Sequence, residues 1–151
     1  MIDLHENQTT DLLGAHVFHR ILCICPTLLR TWWLDCTDRR LSTTVSSFVT
    51  AHFSKLLIQQ ELRVMQDADV IKEISVENFS IRVLSALKEI HTTYAIDDQN
   101  MEVVLRLPDD FPLHGVVVNG AHKVGVSEEK WRAWLLGLQQ VINSQVSCFI
   151  P

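Results

Sequence analysis

Residues Met101 to Val126 read MEVVLRLPDDFPLHGVVVNGAHKVGV. No other stretch limits the fold so tightly, because strand, proline turn and strand signals succeed one another in it without a gap. Met101, Val103, Leu105 and Leu107 alternate with Glu102, Val104 and Arg106, the period of a strand with one buried face. Pro108 stops the ladder because it has no N–H to donate, and it disfavours helix at Leu107. Asp109 and Asp110 suit a turn, and Phe111-Pro112 restarts an extended chain. Val116 to Val118 is a short β-branched run. Asn119-Gly120 behind it predicts a hairpin, since a type I′ turn needs φ > 0 at both central residues. Ala121 to Val126 returns as the partner strand, and the rest of the chain must pack against this meander.

The flanks extend the pattern. Phe79, Ile81 and Val83 alternate with Ser80, Arg82 and Leu84, and Ile90, Thr92, Tyr94 and Ile96 carry the same phase onward. A bend or bulge is therefore expected between Ser85 and Lys88. Asp97-Asp98-Gln99-Asn100 closes a hairpin into Met101, which makes a four-stranded meander. Ser127 is a good N-cap, and Glu128 and Glu129 set negative charge against the helix dipole. Trp131, Trp134, Leu135, Leu138 and Ile142 then form one apolar face that should lie across the sheet, with both tryptophans in the core.

The first half of the chain reads as helices. Met1 to Gln8 is polar and expected to fray. Thr9, Thr10 and Asp11 offer N-cap oxygens to a helix carrying two stripes, Leu13, Val17, Ile21, Ile24 and Leu12, His16, His19, Cys23, which predicts packing on two sides. Pro26 ends it and opens a second segment with Arg30 and the pair Trp32-Trp33. Asp35 to Arg40 reads as a turn. Ser42 or Thr43 can cap a third helix, in which Val45, Phe48, Val49, His52, Phe53, Leu56 and Leu57 share a face. Such a stripe needs a partner surface, because an isolated helix leaves its burial energy of about 1.5–3 kcal/mol per large side chain unrealised. The two preceding helices supply one, as in a HEAT-like pair. The helix runs to about Met65 and meets the breaker Gln66 to Asp69, after which Val70 to Val76 is either a short helix or linker.

A hydrophobic strand followed by LPDDFPLHGVVV resembles the RWD domain, whose fold is shared with ubiquitin-conjugating enzymes and whose mark is a Tyr-Pro-x-x-x-Pro turn. Phe111-Pro112 stands where that family has Tyr-Pro, and Val116 replaces the second proline. The longer run VENFSIRVLSALKEIHTTYAIDDQNMEVVLRLPDDFPLHGVVVNGAHKVGVSEEKWRAWLLGLQQVI resembles the RWD region of the listerin family, RING-type E3 ubiquitin ligases of ribosome-associated quality control. The helices before it resemble the end of that family's helical-repeat array, so that the resemblance spans residues 9–142. It implies an α+β protein with a helical-repeat end at 1–69, an RWD domain at 70–142 and a divergent tail at 143–151.

Composition narrows the function. At 151 residues and 47% hydrophobic content the chain can bury a core without staples. A net charge of −5 argues against binding that relies on neutralising many phosphates, so a ribosome contact must lean on protein or on a small basic spot. Cys23, Cys25, Cys36 and Cys148 form neither a CxxC pair nor a disulfide framework, and no signal-peptide pattern opens the chain, which predicts a reducing cytosol. No apolar run approaches the roughly 20 residues that span a bilayer, so no membrane is expected.

Candidate sites follow. Thioester chemistry of the ubiquitin-conjugating type needs a cysteine downstream of the proline turn and polar groups for the oxyanion. Between Met101 and Ser147 there is no cysteine, and His114-Gly115-Val116 does not supply the His-Pro-Asn of that family. His16, His19 and Cys23 fall on one helical face and could converge on zinc with Cys36 or His52 as a fourth ligand. The alternative is a partly buried helix with hydrogen-bonded histidines, and no cofactor is expected. Arg30 with Trp32-Trp33, and then Arg39-Arg40, read as an interface hot spot or as one core tryptophan with solvated arginines. His114, Asn119, His122 and Lys123 sit near turns, where a scaffold presents its contacts; the alternative is an ordinary solvated hairpin.

The resemblance thus implies a non-catalytic module that docks a listerin-like ligase on the 60S ribosomal subunit, through ribosomal protein and rRNA, beside other quality-control factors. A ubiquitin-conjugating enzyme would be met only through a RING, whose paired four-ligand zinc sites residues 1–151 do not supply. The alternative is a general RWD-type protein–protein adaptor not tied to ribosomes.

Overall fold

A computed structural model describes residues 4–74, 77–96 and 99–145. Met1 to Asp3, the Asp97-Asp98 part of the expected hairpin turn, and the tail from Val146 with Cys148 lie outside the described residues. Helices α1 (Leu4–Ile24), α2 (Pro26–Leu34), α3 (Arg39–Val49), α4 (Lys55–Val64) and α5 (Ala68–Ile74) lead into strands β1 (Phe79–Leu84), β2 (Glu89–Ile96), β3 (Gln99–Arg106) and β4 (Val117–His122), and α6 (Glu128–Gln145) closes the order. The strands form one antiparallel sheet in the order β1-β2-β3-β4.

In the helical half the chemistry of the chain ends sets the boundaries. Helix α1 begins at Leu4, so Thr9 and Thr10 are interior residues and not the cap. Pro26 occupies the first turn of α2, where its missing N–H costs nothing, and α1 and α2 meet at 105°. Asp38, not Ser42 or Thr43, caps α3: its side chain accepts from the Arg40 and Leu41 N–H groups at 2.9 and 3.2 Å. Arg39 and Arg40 are therefore the first helical turn. Asp67 accepts from the Asp69 N–H at 2.9 Å and starts α5, so the ambiguous Val70 to Val76 stretch is helical as far as Ile74, and Ser75 and Val76 lie outside the described residues.

Between α3 and α4 the residues Thr50–Ser54 form a π-helical turn, which no sequence pattern announced. A π turn inserts one residue into the helix and rotates all that follows by about 100°. Val49 is buried before it; its last residue, Ser54, and then Leu57, Ile58 and Leu62 point inward, while Leu56, expected on the buried stripe, is 60% exposed. The second departure from expectation is on α1. Its Leu22 and Cys23 side is buried, whereas Leu13, Val17, Ile21 and Ile24 are exposed, so within this chain α1 packs on one side only.

The sheet holds two further corrections. Residues 85–88 are a hairpin turn, with Lys88 at φ 57°, and not a bulge within one strand; Leu84 pairs with Glu89 and Phe79 with Tyr94. Asn119-Gly120 lies inside β4, paired with Val104 and Val103. The glycine serves a close approach: a Cβ there would stand 2.6 Å from Trp131 Nε1, 2.7 Å from Trp131 Cζ2 and 2.8 Å from Leu135 Cδ1. Helix α6 is thereby seated on β4, with Gln139 Oε1 accepting from the Val118 N–H and its amide donating to the Val116 carbonyl. Trp131 is buried, but Trp134 is 53% exposed.

One core joins both halves. Leu22, Leu29, Val49, Leu57, Ile58 and Leu62 of the helices cluster with Ile90, Leu107, Phe111 and Leu113 of the sheet and its proline loop. At about 25 cal/mol per Å² of apolar surface, this shared layer is the main force holding helices to sheet. No single helix among the described residues is long and apolar enough to cross a membrane.

Candidate functional site

The geometry concentrates where α2 meets the proline loop. Pro26 fixes the start of α2, and one turn on, Arg30 is only 8% exposed. A buried guanidinium must find acceptors, and Arg30 Nε donates to the Pro112 carbonyl at 3.0 Å. The Phe111-Pro112 bond is cis, and Phe111, Pro112 and Leu113 are all buried. Gly115 leaves room for this arrangement, since a Cβ there would lie 3.3 Å from Arg30 Nη1 and 2.8 Å from Asn143 Oδ1.

Trp33 follows Arg30 by three residues and so shares its helix face. Its indole N–H donates to the Ser42 carbonyl at 3.3 Å, and its ring meets the His114 ring edge-on at 4.9 Å. His114 Nδ1 lies 2.6 Å from Asp110 Oδ2, which holds the imidazole across the proline loop. Trp32 is half exposed. Of the tryptophan pair, one is packed and one is not.

Of the candidate contact residues, His114 and the exposed Arg39 and Arg40 fall around this junction, linked through Trp33 and Ser42. His122 and Lys123 lie at the far end of the sheet. There the His122 Nδ1–H donates to the Asn100 carbonyl at 2.6 Å, and Lys123 pairs with Glu128, which Arg132 also reaches at 3.3 Å. Lys123 holds the Glu128 carboxyl below the usual carboxylate range, so this cation is already answered by an acid. These groups border a polar depression with Thr93, Gln99 and Glu102. Asn119 is exposed on β4 opposite Val104 and belongs to neither group.

The zinc alternative has no support in the geometry. His19 Nε2 and Cys23 Sγ stand 3.6 Å apart, but His16 is exposed and His19 stacks on Phe53 at 5.1 Å between centroids. His52 packs on Phe48 and Cys36 Sγ donates to the Asp38 carbonyl. Among the described residues no group of three His, Cys, Asp or Glu side chains could hold a metal. Burial pushes the Cys23 thiol up, against the opposing pull of Arg20. The described cysteines, Cys23, Cys25 and Cys36, all lie in the helical half, remote in sequence from the strand and loop where thioester chemistry would need one.

On the outer sheet face His91 lies between Glu102 and Glu89, at 2.8 and 3.1 Å. Hydrogen bonding to Glu102 first, and to Glu89 second, raises its affinity for a proton. Sequence reasoning passed over this triad, although the Glu-x-His spacing on a strand places both side chains on one face. It also named Arg30 without foreseeing its burial; the signal was its three-residue step to Trp33.

Comparison with known proteins agrees with this architecture. Residues 2–66 match the LTN1 family HEAT repeat region, and residues 79–149 match the ubiquitin conjugating domain-like family. The E3 ubiquitin-protein ligase listerin of Saccharomyces cerevisiae is 32% identical over 141 residues, which covers 93% of this chain and 9% of the relative. The listerin of Schizosaccharomyces pombe is 31% identical over 88% of the chain, and that of Xenopus tropicalis 29% over 91%, each covering 8% of the relative. The chain thus spans less than a tenth of the length of these relatives. Over the stretch it spans, with HEAT repeat helices welded to a ubiquitin-conjugating-like sheet, the chain belongs to the listerin family.

Proposed function

We propose that this chain is a non-catalytic docking module of a listerin-type E3 ubiquitin ligase, which seats the ligase in the cytosol on 60S ribosomal subunits carrying stalled nascent chains. The observation that carries the reading is the junction: a shared core and the buried Arg30–Pro112 hydrogen bond make helices and sheet one body. A rigid body anchored to the ribosome raises the effective concentration of a ligating end at its substrate without any chemical step of its own. His114, Arg39 and Arg40 on one side, His122 and Lys123 on the other, and Asn119 on β4 apart from both, are the proposed contacts. The ubiquitin-conjugating enzyme would be engaged elsewhere in the ligase, at a RING.

The test is co-sedimentation of the chain with isolated 60S subunits and with intact 80S ribosomes over a salt series. Retention on 60S that weakens as salt rises is expected; a chain that stays in the supernatant at every salt overturns the reading. A second reading, a protein–protein adaptor not tied to ribosomes, is favoured by one feature. Between α6 and the sheet an apolar groove of about 340 Å³ is lined by Phe79, Tyr94, Met101, Trp131, Trp134 and Leu138, the shape that receives a partner's apolar side chains.

A further inference from the structure

Helix α4 carries Lys55, Gln59 and Arg63 at intervals of four residues, a row about 12 Å long on one helix face. Gln66 follows just past the helix end. These four side chains form one wall of a cleft of about 640 Å³. The opposite wall is the β1–β2 turn, with Ser85 and Lys88, together with Asp109 of the proline loop, and Ile58 and Leu62 contribute to the lining. Gln66 Nε2 donates to Ser85 Oγ at 3.1 Å and bridges the two walls. The cleft therefore exists only because helices and sheet are locked together.

Its charge is the reverse of the whole molecule's. Three cations line it, and among the described lining residues Asp109 is the one acid, already paired with Lys88. Lys55 and Arg63 make no ion pair with any described carboxylate. The chain's net charge of −5 includes these cations, so its acid excess lies outside the cleft and leaves this spot as a local sink for anions.

We propose that the cleft binds the phosphodiester backbone of double-stranded RNA. Arginine and lysine neutralise phosphates, and amides and hydroxyls such as those of Gln59, Gln66 and Ser85 contact phosphate and sugar without reading sequence. No aromatic side chain lines the cleft, so unpaired bases would have nothing to stack on, which favours a duplex over a single strand. An acidic peptide would meet the same cations, but tight peptide binding is anchored by buried aromatic or arginine hot spots in packed pockets, and this lining is mostly charged and amide. The proposal gives the docking reading a nucleic-acid contact and rests on it for the source of the RNA, though not for the chemistry of the cleft.

The experiment is fluorescence anisotropy of the whole chain with a labelled RNA hairpin stem between 50 and 200 mM salt. With two phosphates neutralised, affinity should fall about tenfold across that range. The double variant Lys55→Gln/Arg63→Gln, both positions exposed, should keep the wild-type melting temperature, bind at least about tenfold more weakly at the lower salt, and lose about two from the salt slope. Lys130→Gln, exposed on α6 and outside the cleft lining, should bind like wild type. No binding to the stem, binding unchanged in the double variant, or tighter binding to a polyglutamate peptide than to RNA would each overturn the proposal. Co-sedimentation of the same double variant separates the two readings: weakened 60S retention alongside lost stem binding is expected, and full 60S retention alongside lost stem binding overturns the cleft as the docking module's RNA contact. Intact stem binding by a wild-type chain that fails to sediment removes docking alone.

Discussion

Replacing Gly120 by Ala tests the packing of α6 on the sheet. The added Cβ would fall 2.6–2.8 Å from the Trp131 ring and Leu135, where real carbon atoms never sit, and neither the buried indole nor strand β4 can yield without disturbing the other. Overpacking of this kind costs about 1–3 kcal/mol. For a chain of this size each kcal/mol moves the melting temperature by about 2–4 °C, so Gly120→Ala should melt roughly 2–12 °C below wild type. The decisive assay is a double-mutant cycle with Trp131→Leu, followed by urea unfolding. Trp131→Leu removes the ring that the new Cβ strikes, so the Ala substitution should cost at least about 1 kcal/mol less in that background. Gly137→Ala is the control: nothing lies within 4 Å of a Cβ there, and in a helix interior the change should stabilise by about 0.5–1 kcal/mol. Additive effects of Gly120→Ala and Trp131→Leu, or a Gly120→Ala protein as stable as wild type, would refute the assignment of the glycine to helix–sheet contact.

Arg30→Met keeps the aliphatic stem but removes the donor to the Pro112 carbonyl, and should cost about 1.5–3 kcal/mol by urea unfolding, since the bond is buried and charge-assisted; a loss below about 0.5 kcal/mol would show that the junction does not depend on it. His91 has its proton affinity raised by Glu102 and Glu89, so its contribution is fully present below the ordinary histidine value of about 6.5 and fades as pH rises through the raised one. The melting-temperature gap between wild type and His91→Asn should therefore be wider at about pH 5.5 than at about pH 9, and a gap that widens toward alkali would contradict the triad. Buried Cys23, its thiol pushed up by burial, should react with iodoacetamide more slowly than exposed Cys25, as followed by peptide mass spectrometry; equal rates would place Cys23 at the surface.

What could be read from the residues was what local chemistry decides. The alternation from Met101 to Leu107 and the break at Pro108 identify a strand and its end, because pleat and missing N–H act within a few residues. Asn119-Gly120 misled for the same reason. The dipeptide is a turn signal anywhere, and only Trp131, brought over it by the fold, makes the glycine a spacer inside β4. The π turn at Thr50–Ser54 has no marker in its five residues, so the pattern that rightly places Leu57 inside also places Leu56 there, where the rotated chain buries Ile58 instead. At the candidate site, Arg30 looked like a surface or interface residue because its acceptor lies 82 positions away. The cation of Lys123 looked available although Glu128, five residues on, was there to be paired with it. The basic cleft was hidden because its two walls belong to different halves of the chain.

That separation of 82 positions between Arg30 and Pro112 also sets a clock for synthesis. At about 5–20 residues per second, Arg30 is made roughly 4–16 s before the carbonyl that it holds. Once Leu62 has been added, and until Phe111 and Leu113 follow, Leu22, Leu29, Leu57 and Leu62 have only each other, and the inner face of the helical half is open to any apolar surface nearby. Variants that slow passage through the proline loop should lengthen this window and lower the yield of folded chain, while leaving the stability of the finished protein unchanged.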